Sequence, residues 1–261
     1  MNIAIIGYGK MGKMIEAAAL EAGHKIACIV DPLLAGTLPD GKEICKDIEG
    51  AQNLGNADVA IEFSRPDTAL ANIAALLKKK LPTVVGTTGW YEKLDDVKKM
   101  VQDTGTSLLW SANYSLGVNV FYRVAWYASQ LMDRFPEYDV AGFEAHHNKK
   151  LDSPSGTAKI LVDGVLTRVV RKKKAVWETL DRKIEPDELH FPSLRVGSVP
   201  GTHSLIFDSN ADTIEITHRA RNREGLAAGA VRAAAWLVDE QAGKRQGVFS
   251  MDDMLKDILG I

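Results

Sequence analysis

Cysteine is almost absent: the 261 residues include only Cys28 and Cys45. Two cysteines so placed read as neither a disulfide framework nor a metal site. Cys28 lies inside the apolar run Ile26-Ala27-Cys28-Ile29-Val30, where it reads as a small buried hydrophobe. An excess of one charge is absent too. Lys and Arg number 32 against 34 Asp and Glu, a formal net charge of -2 that offers no general attraction for nucleic acid. The basic runs Lys78-Lys79-Lys80 and Arg171-Lys172-Lys173-Lys174 each follow an apolar helical pattern and are expected to be solvated helix ends. No apolar run reaches the ~18 residues of a membrane span. The chain opens directly on a strand pattern rather than on the charged and apolar regions of a leader. The expected setting is the cytoplasm, with neither membrane nor nucleic acid as partner.

What is present is an ordinary globular composition, 46% hydrophobic and 25% charged, long enough for one large or two modest domains. The first third alternates short β-branched runs (Ile3 to Ile6, Lys25 to Val30, Val59 to Phe63, Thr83 to Val85, Ser107 to Trp110) with helical patterns, which predicts a parallel sheet with crossover helices. After Trp110 the character changes. An amphipathic helix is expected over Val118 to Phe135, carrying Val120, Phe121, Val124, Tyr127, Ala128, Leu131 and Met132. Strand-like segments follow at Tyr138 to Phe143, Ser193 to Ser198, His203 to Phe207 and Thr213 to Thr217, with a helix from about Pro154 to Val170 and a loop over Glu185 to Pro192. Strands without intervening helices predict an open, mixed or antiparallel sheet in a second domain. An Ala-rich helix is expected over Gly225 to Glu240, with a short element from Val248 to Leu259.

Gly7-Tyr8-Gly9-Lys10-Met11-Gly12 fits GxGxxG between the first strand and the first helix, the setting in which glycines admit a dinucleotide pyrophosphate to a helix N-terminus. Asp31 ends the second strand about twenty residues on, where a carboxylate can accept from ribose hydroxyls. It is followed by Pro32 and Leu33 rather than Arg, which favours NADH over NADPH, although Lys10 or Arg65 could serve a 2′-phosphate by another route. Gly86-Thr87-Thr88-Gly89 and Ser111-Ala112-Asn113-Tyr114 follow later strands on the same ligand edge; turn chemistry alone would also explain them.

The densest chemistry lies from Glu144 to Ala158. Ser153 before Pro154 reads as a helix N-cap followed by proline at the first helical position, which leaves Ser155, Gly156 and Thr157 in a first turn able to bind a carboxylate. His146, His147 and Lys150 can supply cationic hydrogen bonds and a transferable proton beside that anion. A polar loop ahead of a capped helix is the plainer reading. A metal site is not expected, because adjacent histidines do not readily face one ion, HExxH spacing is missing and no cysteine lies nearby.

The string ExHxxxKxDxPSGTA resembles the signature of the dihydrodipicolinate (4-hydroxy-tetrahydrodipicolinate) reductase family. Further resemblance runs through the glycine turn, Gly86 to Gly89, Asn113 to Asn119, Gly197 to His203 and Glu215 to His218. It implies an α/β protein with a Rossmann-like dinucleotide-binding domain (1–114 and 224–261) and an α+β substrate-binding and oligomerisation domain with an open mixed sheet (115–223). It also implies NADH or NADPH as cofactor, a small dicarboxylate substrate, a homotetramer and a place in diaminopimelate and lysine biosynthesis. Carried over residue by residue, it makes His146 and Lys150 catalytic and gives substrate contacts to His147, Gly156 and Thr157. Cofactor contacts fall to Gly7, Tyr8, Gly9, Lys10, Met11, Gly12, Asp31, Gly86, Thr87, Thr88, Ser111, Ala112, Asn113 and Tyr114. Two departures stand out: many relatives have a glycine loop longer by one residue, and Ala141 stands where an acidic residue is usual. Another two-domain amino-acid or sugar dehydrogenase would share the features up to Ala112, and a non-catalytic nucleotide sensor would share the fold.

Overall fold

The structure is a computed structural model that describes residues 1–39, 41–239 and 245–260. Glu240, the expected end of the Ala-rich helix, lies outside the described residues, as do 241–244 and Ile261 of the expected return to the cofactor domain. The chain divides into two compact units, Met1–Ser115 with Glu224–Ile261, and Leu116–Arg223.

The first unit runs β1 (Asn2–Ile6), α1 (Lys10–Glu21), β2 (Lys25–Val30), the short strands β3 (Gly36–Thr37) and β4 (Glu43–Ile44), β5 (Val59–Glu62), α2 (Pro66–Lys78), β6 (Thr83–Val85), α3 (Leu94–Thr104) and β7 (Ser107–Trp110). The second contains α4 (Leu116–Met132), β8 (Asp139–His146), α5 (Gly156–Leu166), β9 (Lys174–Val176), β10 (Glu188–His190), β11 (Ser193–Arg195), β12 (Thr202–Asp208) and β13 (Thr213–Arg219). The chain then adds α6 (Glu224–Leu237), β14 (Gly247–Ser250) and α7 (Met251–Leu259) to the first unit.

In the first unit a six-stranded sheet in the order β14-β7-β6-β5-β1-β2 is parallel throughout, a Rossmann-like arrangement. Its central strands are covered on both faces, so they read as continuous apolar runs: Ile3, Ala4 and Ile5 of β1 and Val59, Ala60 and Ile61 of β5 are wholly buried. Pro66 at the start of α2, Asp67 in its first turn and Lys78 in its last follow the usual polarity of a helix. Ser250 and Asp253 close a capping box at α7. No helix among the described residues is long and apolar enough to cross a membrane.

The second unit holds a mixed four-stranded sheet, β11-β8-β12-β13, in which only β11 and β8 run parallel. Phe121 and Ala125 of α4 and Leu161, Val162 and Val165 of α5 pack against Val140, Leu205 and Phe207 of that sheet. The apolar residues of α4 divide between two faces: Val118, Phe121, Tyr122, Ala125 and Met132 are buried, whereas Val120, Val124, Tyr127 and Leu131 stay exposed.

Four expectations need correction. The loop over Glu185 to Pro192 contains β10, which pairs in parallel with β9 and buries Leu189. The basic run after α5 is not a solvated end: Lys172 is buried, with Nζ donating to the Pro186 and Glu188 carbonyls and 2.6 Å from Asp139, while Arg171 donates to Asp133 and the Tyr138 carbonyl. β8 runs on through Glu144-Ala145-His146, because β12 and β11 flank it there and supply ladder partners that an apolar pattern does not reveal. Finally α5 starts at Gly156 with Ser155, not Ser153, as its N-cap.

Candidate active site

In the first unit, Gly7, Tyr8 and Gly9 make up the whole turn between β1 and α1. Gly7 adopts φ +90°, and a Cβ on it would lie 2.3 Å from the Phe63 carbonyl oxygen. A Cβ on Gly12 would lie 2.1 Å from the Gly7 carbonyl oxygen. Both glycines are therefore required by packing of the turn. Gly9 is different. It is the N-cap of α1, has no side-chain cap, and a Cβ on it would meet nothing within 4 Å. That open space adjoins first-turn amides without intrahelical acceptors, which is what a phosphate requires.

A cavity of about 610 Å³ is lined by Gly7, Gly9, Asp31, Phe63, Ser64 and Arg65, among others. Asp31 holds the turn in place: Oδ2 accepts from the Tyr8 amide at 2.8 Å and Oδ1 from the Leu33 amide at 2.9 Å. Each oxygen keeps a further lone pair for a ribose hydroxyl. Arg65 is paired in two places with Asp67, at 3.0 and 2.9 Å. The glycine motif and Asp31 are thus brought together with Phe63, Ser64 and Arg65. Phe63 and Ser64 follow β5 and carry no motif; their only signal was a position at a strand's carboxyl end. A slightly larger hollow, about 690 Å³, lies among Leu54, Asp58, Lys79 and Pro82. It adjoins the amino ends of β5 and β6, the wrong edge for a ligand of an open α/β sheet.

The other first-unit candidates serve the scaffold in part. The Tyr8 ring is buried and its hydroxyl hydrogen-bonds Glu16, with Lys42 2.9 Å from Glu16 and 3.0 Å from the Tyr8 hydroxyl. Burial, then the bond to Glu16, raises the Tyr8 pKa. Lys10 is exposed and Met11 half-buried. Gly86 follows β6, Thr87 Oγ1 accepts from the Ser64 amide at 2.8 Å, and Thr88 is exposed. Beyond β7, Ser111 Oγ bonds to both backbone groups of Asn113, Ala112 is exposed, and Tyr114 is buried with its hydroxyl donating to the Val85 carbonyl at 2.8 Å. These loops share the sheet's carboxyl edge with the glycine turn.

In the second unit, alternation along β8 puts Glu144 and His146 on one face. Glu144 is wholly buried. Its Oε1 accepts from Ser193 Oγ at 2.7 Å, Arg195 Nη2 at 3.0 Å and the Ser155 amide at 3.2 Å, and its Oε2 lies 2.5 Å from His146 Nδ1. Burial alone would raise this carboxyl's pKa, but the bonds from His146, Ser193 and Ser155 outweigh it and hold the group well below the usual carboxylate range. His203 stacks edge-on against His146 at 5.2 Å and lies 3.2 Å from Ser155 Oγ. Burial first, then the neighbouring His146, pushes the His203 imidazole down to about 4. Glu144, His146 and His203 are metal-ligand types with atoms within 4.8 Å of one another. Glu144 Oε1 already serves three donors, however, and 2.5 Å between Oε2 and Nδ1 is a hydrogen-bond length.

The shifted cap defines the helix entrance. Ser155 Oγ accepts from the Ala158 amide at 3.1 Å, so the Gly156 and Thr157 amides are left as the first-turn donors of α5. A Cβ on Gly156 would meet nothing within 4 Å. Lys150 Nζ lies 2.7 Å from Asp152 Oδ1, and the Lys150 partnership holds the Asp152 carboxyl below its ordinary pKa. His147 follows β8 directly and is half-buried. Sequence reasoning missed the roles of Glu144, Ser193, Arg195 and His203. The signal was strand register: Ser193 and His203 are the cross-strand partners of Glu144, and Arg195 is that of His146.

Comparison with known proteins covers nearly the whole chain. Residues 1–114 match the family described as "Dihydrodipicolinate reductase, N-terminus", and residues 117–255 match "Dihydrodipicolinate reductase, C-terminus". The chain is 38% identical over 259 residues to a 4-hydroxy-tetrahydrodipicolinate reductase of Christiangramia forsetii, covering 99% of each protein. It is 34% identical over 259 residues to one of Staphylococcus aureus, covering 97% of this chain and 100% of that protein. Among solved structures, a dipicolinate-bound dihydrodipicolinate reductase from a Paenisporosarcina species superposes with a TM-score of 0.75 at 19% identity, covering 96% of this chain and 97% of that one, a likeness of fold.

Proposed function

The chain belongs to the dihydrodipicolinate reductase family, and from that premise we propose that it reduces 4-hydroxy-tetrahydrodipicolinate to tetrahydrodipicolinate, with loss of water, at the expense of NADH or NADPH. This is a step that supplies diaminopimelate and lysine. The observation that carries the reading is the open N-terminus of α5 at Gly156 and Thr157, whose cap Ser155 shares the buried Glu144 carboxylate with His146.

The first unit fits a dinucleotide: the space beside Gly9 suits the pyrophosphate, and Asp31 at the cavity wall suits a ribose. The cofactor, when bound, supplies the hydride. Tyr8, Lys10, Met11 and Gly12 belong to the phosphate turn, and Gly86 to Thr88 with Ser111 to Tyr114 to the loops nearest the nicotinamide end. NADH is favoured, because the Asp31 carboxylate repels a 2′-phosphate and Arg65 is already paired with Asp67. In the second unit the Gly156 and Thr157 amides donate to one ring carboxylate, His147 and Lys150 neutralise charge, and His146 with Lys150 handles the proton. Lys150 would exchange Asp152 for the substrate as its partner.

The assembly proposed is a homotetramer, supported by family likeness, and light scattering on the purified protein reads its mass. The cytoplasm as compartment is supported by the two free thiols, Cys28 and Cys45. NADH oxidation with freshly generated substrate tests the function. Turnover that pyridine-2,6-dicarboxylate inhibits competitively, and pyridine-2-carboxylate much more weakly, is expected; equal inhibition by the two compounds would contradict the anion site.

A further inference from the structure

The mechanism above uses His146 and the α5 entrance but gives no task to the group that holds both. Glu144 is a fully buried carboxylate on the same face of β8 as His146. Strand pairing delivers its other partners: Ser193 stands opposite it on β11 and His203 on β12, and Arg195 stands opposite His146. Oε1 takes the Ser193 hydroxyl, the Arg195 guanidinium and the Ser155 amide, while Oε2 faces His146 Nδ1 at 2.5 Å and His203 Nε2 at 3.8 Å. Arg195 Nη2 also donates to the Asp152 carbonyl at 2.7 Å, which ties the end of the Lys150 to Asp152 segment to the same carboxylate.

The consequences for His146 are specific. Its Nδ1 faces Glu144 Oε2 at 2.5 Å, so Nε2 is the nitrogen placed to exchange a proton. The ring meets His203 edge-on at 5.2 Å, and Gly201 leaves room at Nε2 that a Cβ, 3.1 Å away, would fill. Glu144 also fixes Ser155, the residue whose hydroxyl caps α5 and leaves the Gly156 and Thr157 amides open.

We propose that Glu144 is the positioning residue of the reaction: it orients His146 through Nδ1 so that Nε2 carries the transferable proton, and it locks the cap of the helix that receives the substrate carboxylate. The proposal rests on the functional reading above. A carboxylate that orients an imidazole and balances its charge acts on turnover, because that charge develops as the proton moves. A carboxylate of structural value alone would leave turnover unchanged in any variant that folds.

The test joins kinetics to ¹⁵N NMR of the histidine rings in the intact protein. Glu144→Gln keeps shape and removes charge. Its kcat should fall at least about tenfold, while substrate KM moves less than about threefold and NADH affinity stays at the parental value. In the parent, the His146 signal, assigned by its loss in His146→Gln, should show a proton on Nδ1; in Glu144→Gln that preference should be lost. Parental kcat in a folded Glu144→Gln, or a parent His146 with a bare Nδ1, would overturn the proposal. Should Glu144→Gln fail to fold, the spectrum of the parent decides alone. A chain that turns over no substrate but shows the Nδ1 proton would refute the proposed reaction and leave the orienting role standing, so the two failures are distinguishable.

Discussion

The Gly7–Gly12 turn works through atoms that are missing, whereas the segment from Glu144 to Thr157 works through side chains that are buried and charged. At the turn, two glycines are required by contact, with a Cβ on Gly7 or Gly12 falling 2.3 or 2.1 Å from a backbone oxygen, and Gly9 is left open. In the second unit the groups proposed to meet the substrate stand on a carboxylate that has no exposure to solvent. The first site is preorganised by sterics at Gly7 and Gly12; the second is preorganised by hydrogen bonds to one charge. The same demand, donors held in place before the ligand arrives, is met by shape in one unit and by electrostatics in the other.

The sharpest way to break this comparison is to remove the groups proposed to handle the proton. His146→Gln and Lys150→Met should each lose about 10²–10⁴-fold in turnover and keep parental NADH affinity, measured by steady-state kinetics alongside cofactor fluorescence. Lys150→Met should also raise substrate KM, because it removes a cation facing the substrate's charge. A variant that lost cofactor binding in proportion to turnover would mean that the two tasks are not divided in this way.

Next comes acidity. The His203 imidazole is pushed down to about 4, chiefly by burial and then by His146, His218 and Lys150, with Glu144 opposing. As pH falls below about 6.5, the unfolded chain takes up a proton that the native imidazole refuses, so stability is lost between about pH 6.5 and pH 4, by about 3 kcal/mol. Glu144, held below the ordinary carboxylate range, adds a loss of the same sign at lower pH. Urea unfolding across this interval should show the slope, and His203→Gln should flatten it; an unchanged slope in that variant would place the titration elsewhere.

The glycines sharpen the other side. Gly7→Ala forces a residue with φ +90° against the Phe63 carbonyl and should cost about 2 kcal/mol or more of stability. Gly9→Ala meets nothing and should change stability by less than about 0.5 kcal/mol while weakening NADH about tenfold, or about 1.4 kcal/mol. Thermal unfolding and calorimetric titration separate the two, and equal destabilisation by both would remove the distinction drawn here. The smallest effect is expected at Asp31. Asp31→Ala should weaken NADH more than NADPH, shifting their ratio by about 1 kcal/mol, and an unchanged ratio would deny Asp31 a part in the preference.

Much of the first unit was legible in the sequence, because its strands are apolar runs between helical patterns and its glycine turn has a fixed spacing. What escaped depends on distant partners. β10 is three residues long and is specified by pairing with β9, so a loop was the natural expectation. Lys172 is buried because Pro186, Glu188 and Asp139 converge on its ammonium from other segments. The cap moved from Ser153 to Ser155 because Ser155 reaches the Ala158 amide while Glu144, eleven residues upstream, accepts its own amide. His146 and Lys150 were visible as residue types in a string; Glu144 as the group that holds one of them was not, since only strand register brings Ser193, Arg195 and His203 around it.

The reaction itself is tested most directly by following the hydride. NADH deuterated on both sides of nicotinamide C4, supplied with freshly generated 4-hydroxy-tetrahydrodipicolinate, should give tetrahydrodipicolinate carrying the deuterium, at a rate lost in His146→Gln. Unlabelled product, or NADH oxidation indifferent to the substrate, would contradict the account.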